Sequence, residues 1–171
     1  MKLLLLMLTL FSLQLSAQID ITTIDDWNIF STSEHDLVVS KSGKTDRNQF
    51  MAFRMERPFC VCKNPVINLV TKEELEKGST VKATIRVDMK KSMEVLLVVL
   101  QKFGSSQTLF KPRGFPSLRS SSLVEVKSQV GNETFLTKGI NNAMKSSESM
   151  CKTDYYFEEV EESKTKFEIK V

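Results

Sequence analysis

The 171 residues carry 24 Lys and Arg against 21 Asp and Glu, a formal charge of +3 that is too small and too evenly mixed to indicate a nucleic acid or an anionic membrane as partner. The apolar fraction of 41% is raised by the first residues, and the remainder is ordinary globular composition. Three cysteines and one histidine are too few for an ordinary zinc site, and no cofactor is indicated.

Met1 and Lys2 precede an apolar run from Leu3 to Leu13, interrupted by Thr9 and Ser12, and Leu15-Ser16-Ala17 closes it ahead of Gln18. This is the charged start, apolar core and small-residue site of a secretory signal peptide, cleaved after Ala17. The core is short of the ~20 residues that cross a bilayer, so cleavage is preferred over an uncleaved anchor. Residues 18–171 are then expected to be one β-rich domain, exported to the periplasm or the extracellular space, with no membrane span after signal cleavage.

Short strands are expected at Trp27 to Phe30, Asp36 to Ser40, Phe50 to Glu56 and Val66 to Val70, separated by Ser, Gly, Asn and Pro. Thr71 with Glu74 three residues on and Gly78 behind predicts a short capped helix over Thr71 to Lys77. The strict alternation of Val81, Ala83, Ile85, Val87 and Met89 with Lys82, Thr84, Arg86 and Asp88 is a half-buried strand. Lys90-Lys91-Ser92 turns it into Met93 to Phe103, which is apolar on both faces and reads as a central strand. Gly104 to Ser106 and Lys111 to Pro116 are loop by composition, and Leu123 to Val130 resumes the strand pattern. Ile140, Ala143, Met144, Ser147 and Cys151 share one face of a helix from about Ile140 to Lys152. Residues 154–171 are a last strand or an acidic-to-basic tail. The spacing of these elements indicates a mainly β fold, an antiparallel β-sandwich or barrel-like domain with one late amphipathic helix.

In an oxidising compartment the cysteines are disulfide candidates. Cys60 and Cys62 are two apart and would point to one face of an extended segment, which strains a mutual bond, so Cys151 pairs with one of them and the other is left over or pairs between chains. Closing a loop of about 90 residues would contribute roughly 4 kcal/mol in the chain-entropy model. Pro58 and Pro65 put the pair in an extended or looped segment, which disfavours a redox-active thiol. His35, between Glu34 and Asp36, has no nucleophile in a recognisable motif and reads as a solvated loop residue. Asn132-Glu133-Thr134 fits a glycosylation sequon, relevant only in a eukaryotic source.

Lys102, Lys111, Arg113 and Arg119, interleaved with Phe103, Phe110 and Phe115, make the one local basic excess. Such a pattern can bind single-stranded nucleic acid or a polyanionic glycan. A solvated loop with inward aromatics is the preferred reading. The residues with interface chemistry are Trp27, Phe103, Phe110, Arg113, Phe115 and Arg119, because aromatics and Arg dominate binding energy.

Asp25-Asp26-Trp27 opening the domain, Lys77-Gly78 leading into a strand that ends Val87-Asp88, and Phe135 to Ile140 entering a helix with Ala143 together resemble the invasion-associated locus B family of exported bacterial proteins. That resemblance implies a small β-sandwich-like exported domain associated with the envelope or with host interaction, and it names no catalytic residue. The paired mid-domain cysteines of that family are lacking, and the segment from Asp154 is extra. The expected function is a non-enzymatic domain binding an envelope or host partner protein. The alternative is a carrier of a lipid or other apolar ligand, with Leu96 to Leu100 lining a cavity between sheet and helix. A hydrolase using His35 is the least favoured.

Overall fold

The computed structural model describes residues 20–32, 36–118 and 120–153. The signal peptide, His35, Arg119 and the last strand or tail from Asp154 lie outside the described residues. Within them the strands are β1 (Ile21–Ile24), β2 (Trp27–Ser31), β3 (Leu37–Ser42), β4 (Phe50–Glu56), β5 (Val61–Cys62), β6 (Val66–Val70), β7 (Thr80–Val87), β8 (Met93–Phe103), β9 (Gln107–Arg113), β10 (Leu123–Ser128) and β11 (Asn132–Leu136). A helix, α1, follows at residues 140–153.

Every strand pair is antiparallel in one sheet of order β1-β2-β3-β4-β6-β9-β8-β7-β10-β11, with β5 paired to β4 alone. The period-two pattern of the sequence decides which face turns inward. Ile29, Val39, Met51, Ile67, Phe110, Leu97, Val99, Ile85, Val126 and Phe135, contributed by nine strands, meet in one core with Ile140 and Ala143 of α1. The fold is thus mainly β and sandwich-like, with its helix near the carboxyl terminus.

Tight turns set the register. Asp25 and Asp26, at φ 48° and 64°, form the two-residue loop between β1 and β2, with Ile24 opposite Trp27. Two positive φ values in succession are what a two-residue hairpin loop of matching twist needs, and Asp tolerates them better than most residues. Asp88 and Met89, at φ 47° and 61°, do the same after β7, where the Lys90 N–H donates to Val87 O at 3.0 Å.

The two ends of the sheet are brought together by a buried carboxylate. Glu133 on β11 accepts from Thr45 N at 2.9 Å, Asp46 N at 2.9 Å, Gln49 Nε2 at 2.7 Å and Thr134 N at 2.6 Å. The Lys44 N–H donates to Thr134 O at 2.8 Å, so the β3–β4 loop is stitched to β11 through backbone as well. A Cβ at Gly43 would lie 2.5 Å from the Glu133 side chain, which leaves only glycine at that position. Nearby, Trp27 is fully buried and donates its Nε1–H to Lys138 O at 3.1 Å, tying β2 to the turn before α1.

The paired strands β7 and β8 and the face of α1 carrying Ile140, Ala143, Ser147 and Cys151 match the sequence expectation. The bridge is Cys60–Cys151, with Cα atoms 5.9 Å apart, and it leaves Cys62 free. Three expectations need correction. Thr71 to Lys77 is not helical: the Thr71 N–H donates to Ser106 O at 2.7 Å and its hydroxyl bonds that of Thr108 at 2.8 Å, so the expected cap serves the sheet instead. Seven residues with one half-buried leucine bury too little to hold a helix. Lys111 to Arg113 belongs to β9 rather than to a loop, because β6 pairs with β9 only from Gln107 to Phe110. Beyond Phe110 the strand has a single partner, and a proline is tolerated there. Leu123 to Val130 breaks at Ser128, where Ser128 N donates to Asn132 Oδ1 at 2.9 Å and the chain turns into β11.

Two outcomes follow for stability. Glu133→Gln puts an amide NH2 where donors already converge and should cost about 3 kcal/mol in chemical denaturation, since bonds to charged groups are worth more than neutral ones. A loss under about 0.5 kcal/mol would mean the carboxylate is not a clasp. Cys151→Ser should cost about 4 kcal/mol whereas Cys62→Ser should leave the denaturation midpoint unchanged, and equal effects of the two would contradict the pairing.

Candidate functional site

The outer face of the sheet carries an open groove lined by three cations. Register places Lys82 of β7, Leu96 of β8 and Arg113 of β9 side by side in one row. Two residues along, Lys127 of β10, Thr84 of β7 and Glu94 of β8 form the next row. At strand spacing the Lys82 and Arg113 backbones are about 10 Å apart, with the leucine between them. The two rows bound an open groove of about 660 Å³, which Ser128 and Gln129 complete.

The electrostatics of this groove are one-sided. Lys82, Arg113 and Lys127 face it against Glu94 alone. Among the described residues, none of the three cations has a carboxylate within 4 Å. The adjoining row, by contrast, is neutralised by the ion pair of Arg86 with Glu125. The floor is apolar, since Leu96 is 37% exposed and half-buried Val98 lies next along β8 on the same side. Lys111, opposite Val98, extends the positive rim. Cationic walls over an apolar strip suit an extended acidic segment with interspersed apolar side chains, because Arg takes a carboxylate in bidentate fashion and Lys adds a point charge.

The sequence candidates divide. Arg113 lines the groove. Phe110 and Trp27 are fully buried in the core and offer a partner no surface, and Phe115 is half-buried against that core. Phe103 is 42% exposed, but it sits at the β8–β9 turn, seven residues from Leu96 and roughly 24 Å along the strand. Arg119 lies outside the described residues. Lys82 and Lys127 were not among the candidates, although the alternating pattern of β7 already turned Lys82 outward. What a linear reading lacks is the strand order that sets β10 and β7 beside β8 and β9. That order also explains the two-faced apolar strand: Val95, Leu97 and Val99 enter the core, and Leu96 and Val98 face the groove.

A second cleft, of about 780 Å³, opens between Asp25, Asp26, Lys41, Leu136, Lys138 and Asn142. It is larger but already satisfied, because Lys41 Nζ bonds Asp26 O at 3.0 Å and Asn142 Nδ2 bonds Asp25 Oδ2 at 2.7 Å. Among the described residues there is no cluster of three metal-ligating side chains, and no helix long and apolar enough to cross a membrane. Cys62 is exposed on β5, and the protein around its sulfur pushes the thiol pKa up, away from the thiolate a redox site needs. The Cys60–Cys151 bond is compatible with an exported setting. No family model, no curated protein and no solved structure matches this chain.

Asp36 is the other charged group with a structural task. Its carboxylate accepts from the Arg54 side chain and from Arg57 N at 3.0 Å, which pins the start of β3 to the end of β4. Burial alone would raise its pKa, but the Arg57 N–H, the Arg54 bond and both positive charges outweigh it and hold the group below its ordinary value. A pKa lower folded than unfolded means that the stabilisation is complete above the unfolded value and is lost as pH falls through the folded one. Asp36→Asn should therefore cost about 2 kcal/mol at pH 7, with the difference from wild type shrinking below about pH 4. A difference that stays constant down to pH 2.5 in urea titrations would contradict this.

Proposed function

We propose that this is an exported, non-enzymatic binding domain whose outer groove takes an acidic segment of an envelope or host protein. The observation that supports the reading is the set of Lys82, Arg113 and Lys127, unpaired among the described residues, around an apolar floor on a rigid four-stranded face. Sites built on strands hold their geometry better than sites on loops. The envelope or host association implied by the locus B resemblance agrees with it, and the disulfide suits the same compartment.

The reading has a direct test. A fluorescein-labelled copolymer of glutamate and tyrosine should bind the full-length protein at low salt, and affinity should fall as salt rises. The double variant Lys82→Glu with Arg113→Glu should weaken binding at least about tenfold, the loss of two charge-assisted contacts. Fluorescence anisotropy that is unchanged by the double variant, or equal for a neutral copolymer of glutamine and tyrosine, would overturn the reading.

A further inference from the structure

We propose that residues 154–163 of this same chain are a built-in occupant of the basic groove, so that an outside partner must displace them. The inference rests on the groove being a site for acidic segments and adds what regulates it.

Charge points to this stretch. Asp154, Glu158, Glu159, Glu161 and Glu162 supply five carboxylates with no Lys or Arg among residues 154–163. Tyr155, Tyr156, Phe157 and Val160 lie between them, which is the mixture the groove suits: acids for Lys82, Arg113 and Lys127, and apolar side chains for the Leu96 strip. Of the chain's other acidic doublets, Asp25-Asp26 is engaged by Asn142 and Lys41, and Glu73-Glu74 is met by Lys102 at 3.9 Å from Glu74 and has no aromatic residue beside it.

Placement supports it independently. The disulfide fixes Cys151, three residues before Asp154, to Cys60, just past β4. Across the ladders, Ala52 of β4 pairs with Val66 and Ile67 pairs with Phe110, so Arg113 comes level with the last residues of β4. Arg113 is in turn opposite Leu96. The anchored end of α1, on the inner face, and the groove, on the outer face, thus lie at the same end of the sheet, about three strand spacings or 15 Å apart along it, and a chain joining them rounds that end. Ten extended residues span about 33 Å, enough to round the end of the sheet and bring Glu158 to Glu162 to the Arg113 side of the groove. A tether of this length presents its segment at millimolar effective concentration, which against a local affinity of about 0.1 mM would occupy the groove about nine-tenths of the time.

The test uses the full-length protein. Zero-length carbodiimide coupling of monomeric wild type, mapped by mass spectrometry, should join carboxylates of residues 154–163 to Lys82 or Lys127. The variant Glu158→Gln, Glu159→Gln, Glu161→Gln and Glu162→Gln should bind the glutamate–tyrosine copolymer about tenfold more tightly than wild type, the release expected from that occupancy. That gain should vanish when Lys82→Glu and Arg113→Glu are added. Coupling to other lysines only, or equal affinity with and without the four substitutions, overturns the proposal. Equal affinity that the groove variant still abolishes leaves the groove standing and removes only its internal occupant, whereas no binding by any form removes both.

Discussion

A carboxylate buried without a cation is tolerated only when enough donors surround it, and Glu133 has four, from Thr45, Asp46, Gln49 and Thr134. Three of these donors lie in the β3–β4 loop, so satisfying one side chain folds the late end of the sheet onto the early end. Without that closure a sheet of this width would expose its apolar inner face and two open edges. With it, residues from strands far apart in the chain share one core, and Trp27 can reach Lys138 O across the seam. The glycine at position 43 is the steric condition of the same contact. A second tie, Cys60 to Cys151, holds the far end of α1 against the β3–β4 strands, where Leu37 and Met55 pack around it.

Closure also decides what the outer face becomes. A strongly curved sheet cannot place a second layer over every strand, and among the described residues no element packs over the outer face of β10-β7-β8-β9. Elsewhere on the surface some charges find partners, as Arg86 does with Glu125 and Lys63 with Glu56. The cations of the groove do not, among the described residues. Exposed charges cost little in water, so this costs the fold almost nothing. It does leave a field of one sign above an apolar strip, which is the raw material of recognition by charge complementarity.

Much of this fold is legible in the linear chain because alternation is a local property. The β7 pattern, the two-faced β8 and the face of α1 depend only on residues within a few positions of one another. What escapes is whatever depends on a distant partner. Thr71, Glu74 and Gly78 have the marks of a capped helix, yet Thr71 is claimed by Ser106 and Thr108. Asn132-Glu133-Thr134 reads as a polar turn until the donors that bury Glu133 arrive from residues 45–49. The same holds for the site. Arg113 stands out in a basic, aromatic stretch, whereas Lys82 and Lys127 become neighbours of it only through strand order, and Phe110 and Trp27, attractive as contact residues, are needed in the core.

The central claim is that recognition happens on the outer face of β7 to β10, and amide hydrogen exchange of the full-length protein with and without the glutamate–tyrosine copolymer tests it by location rather than affinity. Slowed exchange confined to residues 80–86, 94–98, 111–113 and 124–128 is the predicted result. Slowing centred on the β8–β9 turn at Phe103 or on β1 and β2, with these segments unchanged, would contradict it.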